Sequence, residues 1–492
     1  MRHGLLPMFL LLTLAVASSP PKRSERGRFS PSFHSSIGDN TEEDLSVLRA
    51  RVEEMFYHSY DNYMKHAYPH DELLPLSCGW ADNFGSYALT LIDSLGTLAV
   101  LGNKTEFARA VGYLDRELSF ETDVSVSVFE TNIRVLGGLL SAHLLASDAE
   151  LGLMKGYKGT LLDSAVDLAK RLLPAFETPT GLPYGSVNLK TGVTEGETTV
   201  SSSACAGTLL LEFGTLSRLT GDQTFELVAK RALIALWGRR SAMGLVGGHI
   251  DIVTGAWTQK EAGVGTSIDS YYEYLIKAYV MFGEVEYLQM FHQSYSAAKT
   301  HIQRAPWYVD VHMETATMVF PIFNSLAAFW PAIEVLAGNV GDAIDTHDSF
   351  FGVWRRFGFT PEGFNVAEGR VQAGQRSYPL RPELVESTLY LSIATGDPHY
   401  LRAAGDFLTS LEGTRAPCGH AAVKDVETRE GADQMDSYFM AETLKYLYLI
   451  YAPGHWVTDG SYVFTTEGHP IKAWQHKGDG RGHKWRNTTC FQ

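Results

Sequence analysis

The sequence predicts an all-α protein: a closed toroid of seven helical hairpins, with a short β element near the C-terminus. Three observations carry this. Helix-period apolar patterns run from Asp44 to Tyr451. A break recurs in which a Gly ends one apolar helix and the next residue opens another: Gly102-Asn103, Gly221-Asp222, Gly283-Glu284, Gly338-Asn339 and Gly396-Asp397. Alternate helices are apolar on nearly every side.

At each break Gly can supply the left-handed position after a helix, and Asn or Asp can cap the next N-terminus. The glycines lie 119, 62, 55 and 58 residues apart. The first interval is two periods, so the unit is roughly 60 residues, enough for two helices and their connections. First members of the pairs fall near 44–67, 104–118, 157–176, 223–238, 284–302, 339–358 and 398–414. Second members fall near 86–102, 127–146, 208–221, 267–283, 320–338, 381–396 and 434–452. Such a repeat can stack as an open solenoid or close into a ring. The second helices hold runs such as Leu209-Leu210-Leu211-Glu212-Phe213 and Tyr271-Tyr272-Glu273-Tyr274-Leu275. Helices apolar all round are buried, which favours an inner ring and one fused domain.

Composition agrees. The 492 residues are 45% hydrophobic, 20% charged and 12% aromatic, which excludes a disordered chain. Lys and Arg total 41 against 56 Asp and Glu, a net charge of −15. No nucleic-acid partner is expected, because that needs a basic footprint. The four cysteines, Cys78, Cys205, Cys418 and Cys490, form no C-x-x-C, which argues against a zinc ribbon or a thioredoxin-type redox site.

The apolar run Leu5–Ala17 holds 13 residues. About 20 are needed to span a bilayer. With its basic start and Ala15-Val16-Ala17 it reads as a signal peptide, residues 1–17. Residues 18–40 read as a disordered linker, 41–475 as the helical domain and 476–492 as a polar tail. No membrane span is expected, and the compartment is the secretory pathway. Sequons at Asn103 and Asn487 fit this. The final Cys490-Phe491-Gln492 does not match a Lys-Asp-Glu-Leu-type signal.

The buried-type helices carry acids, mostly near their N-termini: Asp93, Glu130, Glu212, Asp269, Glu273, Glu383, Glu386, Asp436 and Glu442. In a toroid these first turns share one mouth. Singly, each could be a dipole or ion-pair partner, as Glu130 and Arg134 at i,i+4 would be. Together they need a cation, sugar hydroxyls or shared protons, because buried like charges repel and lose solvation. Carboxylates among aromatic residues in a concavity suit a glycosidase; a bare acidic metal site is the competing idea.

At these motifs the chain resembles glycoside hydrolase family 47, the class I α-1,2-mannosidases, from about Leu45 to Pro470. The motifs are Leu91-Ile92-Asp93-Ser94-Leu95, Phe129-Glu130-Thr131-Asn132-Ile133-Arg134, Asp269-Ser270-Tyr271-Tyr272-Glu273, Leu380-Arg381-Pro382-Glu383 and Phe464-Thr465-Thr466-Glu467-Gly468-His469-Pro470. Tyr184-Gly185-Ser186-Val187-Asn188-Leu189 and Cys418-Gly419-His420-Ala421 resemble the ER degradation-enhancing branch of that family.

The resemblance implies an (α/α)7 barrel. It implies Ca2+-dependent, inverting removal of terminal α-1,2-mannose from high-mannose N-glycans on misfolded glycoproteins, in the ER lumen. Thr466 is implied to hold Ca2+, a cation that favours hard oxygen ligands. Glu383 is the implied general base, and Glu130 and Asp269 are candidates for proton delivery. Arg134, Asp93, Glu386, Asp436, Glu442 and Glu467 would line the sugar site. Cys78 and Cys418 precede the first and last inner helices, positions a closed ring makes neighbours, and matching positions pair in that branch. Two free thiols, or a mixed disulfide of Cys78, Cys418 or Cys490 with a protein disulfide oxidoreductase, are the alternatives.

The chain departs from the family where Asp436 replaces a common Glu, Gly96 a common Asp, and Ser267 an Arg of the ER-type processing enzyme. Two other functions compete: a mannose-binding lectin of the same fold with little hydrolysis, and a helical scaffold. The scaffold gives no reason for acids in the inner helices.

Overall fold

The computed structural model describes residues 42–474. The assignments to residues 1–40 and to the tail, including Asn487 and Cys490, lie outside the described residues.

Among the described residues the helices alternate between two layers. The outer layer comprises Glu42–Asn62, Lys104–Glu117, Thr160–Leu172, Thr224–Trp237, Val285–His301, Val340–Phe357 and Pro398–Glu412. The inner layer comprises Leu89–Val100, Gly137–Ser147, Leu210–Thr220, Asp269–Phe282, Trp330–Leu336, Glu383–Thr395 and Leu444–Ile450. Every residue of Leu89–Val100 is buried, whereas Lys104–Glu117 buries only Phe107, Ala110, Val111 and Leu114. That stripe is what an outer helix needs. The five break glycines all have positive φ, from +63° to +81°, a region that Gly enters without steric cost. Asn103 and Asp397 cap the helices that follow them through their side chains.

The ring closes. Thr97 Oγ1 in the first inner helix donates to Met440 O, 343 residues away, at 2.7 Å. Cys78 and Cys418 form a disulfide across the same seam, with Cα atoms 5.4 Å apart. Outside it, Arg51 grips Glu412 with two hydrogen bonds of 2.8 and 2.7 Å.

Two inner boundaries differ from expectation. The segment expected to be helical from 320 holds strands Met318–Phe320 and Ile322–Asn324; the helix begins at Trp330 after a 3-10 turn, Ser325–Phe329. Pro321, which lacks an N–H, separates the two strands, and Phe323 pairs with Phe364 of a neighbouring strand. Residues 434–436 belong to no helix or strand and precede the last inner helix. Strands are also more widespread than one C-terminal element: short hairpins sit in the long connections leading to the inner helices.

The expected C-terminal element is the hairpin Tyr462–Phe464 with Pro470–Lys472. Its turn enters the barrel. Ser141 Oγ donates to Pro470 O at 2.7 Å, and Thr466 N donates to Tyr274 Oη at 3.4 Å. Gly138 permits this approach: a Cβ there would lie 2.8 Å from Ile92 Cγ2 and 3.3 Å from His469.

Candidate active site

Three inner helices are entered through a non-glycine residue with positive φ: Ala88 (+58°), Ser267 (+72°) and Leu380 (+64°). Such residues cost of order 1–3 kcal/mol each and persist only where the surroundings fix them. Leu380 is fixed by Thr443 Oγ1, which donates to its carbonyl at 2.7 Å. Each kink starts a helix whose first turns carry an acid: Asp93, Asp269 and Glu383.

Glu383 is the first residue of its helix, with Pro382 in the capping position. Arg381 makes a forked pair with Glu362 at 2.6 and 2.8 Å and lies 4.0 Å from Glu383 Oε1. Burial nevertheless pushes the Glu383 carboxyl up to about 7, against the opposing Arg381 charge. Burial pushes Asp269 up to about 6, opposed by hydrogen bonds from the Ser270 N–H (2.8 Å) and hydroxyl (3.2 Å). Glu383 is raised further, to a smaller extent, by the charges of Glu362 and Asp269.

Glu130 is tied to the other acids through Arg134. Ser127 caps its turn, and the chain then passes through a π-helical turn, Thr131–Leu136. Such turns are frequent at functional sites. Here it carries the buried Arg134, whose Nε donates to Glu130 Oε2 at 2.7 Å and whose Nη1 donates to Glu467 Oε1 at 2.5 Å. Arg134 also lies 3.9 Å from Asp93, and Ser437 Oγ donates to Asp93 Oδ2. A second π turn, Phe439–Thr443, carries Glu442.

Glu442, Glu467 and Glu386 are buried and held above the ordinary carboxyl range. Burial is the main cause in each case; for Glu442 the next are the charges of Glu467, Glu386 and Glu383. The structure thus brings Glu130, Arg134, Asp93, Asp269, Glu383, Glu386, Glu442 and Glu467 into one connected network. Asp436 sits at its rim, accepting from Tyr438 Oη at 2.7 Å; burial, and after it the charge of Asp436, raises the neighbouring Glu72. Thr466 occupies the hairpin turn beside Glu467. Asn103, a sequon residue, uses its Nδ2 to donate to Tyr57 Oη at 2.9 Å.

Several members of the network were not singled out from sequence. Glu72, on a three-residue strand, is buried and accepts from Asn83 at 2.9 Å. Lys277 pairs with Glu273 and lies 3.5 Å from Glu386. Lys445 is fully buried, its Nζ lacks a hydrogen-bond partner, and burial pushes it down to about 8. A Cβ at Gly96 would sit 3.8 Å from that ammonium. The acid common in the family at this place would therefore face Lys445.

A double ring of helices with carboxyls gathered inside one end defines an (α/α)7-barrel glycosidase. The chain belongs to glycosyl hydrolase family 47, whose profile matches residues 55–473. It is 55% identical over 435 residues to alpha-mannosidase I MNS4 of Arabidopsis thaliana, covering 87% of this chain and 70% of the relative. It is 44% identical over 464 residues to mouse (Mus musculus) ER degradation-enhancing alpha-mannosidase-like protein 2, covering 90% of this chain and 80% of the relative. The α-1,2-mannosidase from Trichoderma reesei superposes with a TM-score of 0.79 at 27% identity, covering 87% of this chain and 99% of that one. The protein is a glycosidase of the α-1,2-mannosidase family.

Proposed function

We propose that the protein removes terminal α-1,2-linked mannose from high-mannose N-glycans on misfolded glycoproteins in the ER lumen, with inversion, marking them for degradation. The observation that best supports this is the carboxyl network. Glu383 feels the charge of Asp269, and Glu130 is tied through Arg134 to Glu467. Inverting hydrolysis needs a base and an acid on different supports, with room for water between them; these three residues lie on three inner-helix segments. The relatives named for ER degradation support the compartment and the clients. No helix among the described residues is long and apolar enough to cross a membrane.

The family's Ca2+ fits the residues present. The acids around Thr466 offer hard oxygen donors and outnumber the nearby cations Arg134, Lys277, Lys445 and Arg381; burial first, and then neighbouring carboxylate charges, hold Glu442 and Glu467 above their ordinary range. Thr466 would hold the ion through its hydroxyl and carbonyl oxygens. When bound, Ca2+ would fix the vicinal hydroxyls of the terminal mannose. Glu383 then accepts a proton from water as the water oxygen attacks the anomeric carbon. The bond to the leaving oxygen breaks, and Glu130 or Asp269 supplies its proton, directly or through a water. Asp269, held at about 6, keeps a proton more readily than an ordinary aspartate.

The test is a glycan profile of denatured glycoprotein bearing nine-mannose N-glycans, incubated with the protein and Ca2+. Stepwise mannose loss is expected. Binding of the glycoprotein without mannose release would favour the lectin reading.

A further inference from the structure

On the outer layer, remote in sequence from the carboxyl network, three potential metal ligands converge. His347 and Asp348 lie in Val340–Phe357, and His399 lies in the first turn of Pro398–Glu412. One ligand atom from each lies within 4.8 Å of the others.

His347 is fully buried, and its hydrogen bonding fixes its tautomer. Its Nε2 lies 2.8 Å from Thr388 Oγ1. The Thr388 hydroxyl donates its single proton to Leu384 O at 2.7 Å. Thr388 must therefore accept from His347, and Nε2 must carry the hydrogen. Nδ1 is left as a lone pair, and it has no hydrogen-bond partner. A histidine whose far nitrogen donates to a fixed acceptor is the usual arrangement of a metal ligand.

The other two groups complete the pattern. His399 Nε2 lies 3.3 Å from Asp348 Oδ1, yet it is not aligned as a hydrogen bond. Bonds of ~2.0–2.1 Å in a tetrahedral zinc site place neighbouring ligand atoms roughly 3.3–3.4 Å apart. Asp397 Oδ1 accepts from the His399 backbone N–H at 2.8 Å and fixes that first turn. The Tyr400 ring meets His347 edge to face at 5.3 Å. The Asp348 and His399 side chains are 47% and 27% exposed, so an ion can enter and water can complete its shell.

We infer that His347, Asp348 and His399 form a binding site for a divalent transition metal of the zinc class. Two imidazole nitrogens and one carboxylate suit Zn2+ better than Ca2+, which favours an all-oxygen shell. A bound ion would tie two outer helices together. Through Thr388 it would also brace Glu383–Thr395, the inner helix that begins with Glu383. The competing account is an ordinary His–Asp pair beside a neutral core histidine, and it predicts no stoichiometric metal.

The test is calorimetric titration of the full chain with Zn2+ in saturating Ca2+, with Co2+ as a spectroscopic probe. One equivalent of Zn2+ and a visible ligand-field band with Co2+ are expected. His399→Ala and the more exposed Asp348→Asn should each weaken binding by at least about tenfold while mannose release persists, which reports an intact fold. Thr388→Val keeps all three ligands but frees the tautomer, and should weaken binding roughly 10–100-fold. No stoichiometric Zn2+ in the presence of Ca2+, or binding unchanged in both His399→Ala and Asp348→Asn, would overturn the assignment.

Discussion

Calcium-free protein should lose stability as pH rises, and Glu383 gives the effect a size. Its carboxyl moves from the ordinary 4.5 to about 7 on folding. Between those values the folded state binds more protons than the unfolded state, so stability is fullest at low pH and falls as pH rises toward 7. The whole shift, about 2.5 units, corresponds to about 3 kcal/mol. Linkage places ~1 kcal/mol of that loss below pH 5.5 and ~2 kcal/mol between pH 5.5 and 8. Buried neutral histidines such as His347 and His420 act in the opposite direction below about 6.5. The measurement must therefore be a difference. Glu383→Gln keeps the shape of the protonated acid but cannot titrate. Urea unfolding of both proteins in excess chelator, at pH 5.5 and pH 8, cancels the histidines. The wild type should lose ~2 kcal/mol more than the variant over this range. Equal pH dependence in the two proteins would refute the claim that burial holds the Glu383 carboxyl above its ordinary range. Calcium should reduce the difference by stabilising the ionised network.

Chelation should abolish mannose release, and Thr466→Ala should weaken Ca2+ binding measured by calorimetry. Arg134→Met should cost about 3–5 kcal/mol in a denaturant titration, because it leaves Glu467, Asp93 and Glu130 without their shared cation. The Cys78–Cys418 bridge closes a loop across a sequence separation of 340 residues. Cys78→Ser with Cys418→Ser should lower stability by roughly 6 kcal/mol in the chain-entropy view, and a Cys78 peptide alkylated without reduction would show that the bridge is not formed.

The helical ring was legible because its signals are periodic. Gly102, Gly221, Gly283, Gly338 and Gly396 mark helix ends with the positive φ their spacing implied. Acids in apolar helices pointed to the site because burying unpaired charge needs a reason. The missed parts have physical causes. Strands of two to four residues, such as Glu72–Leu74, carry too little alternation to detect, and Glu72 went with them. Lys277 and Lys445 fall in apolar helices, but a single lysine there gives no sign of which carboxyl it meets. The π turns at Thr131–Leu136 and Phe439–Thr443 have no sequence mark of their own. The ligand set of His347, Asp348 and His399 spans two outer helices, and only the fold joins it.

The anomeric form of the first sugar released tests the central claim most directly. In the proposed mechanism water activated by Glu383 attacks opposite the departing group, so an α-linked substrate must first yield β-mannose. Proton NMR, recorded faster than mutarotation, should show the β-anomer first. Glu383→Gln should cut turnover by about 10²–10⁴. α-Mannose appearing first would contradict the inverting mechanism, and full turnover by Glu383→Gln would contradict the choice of base.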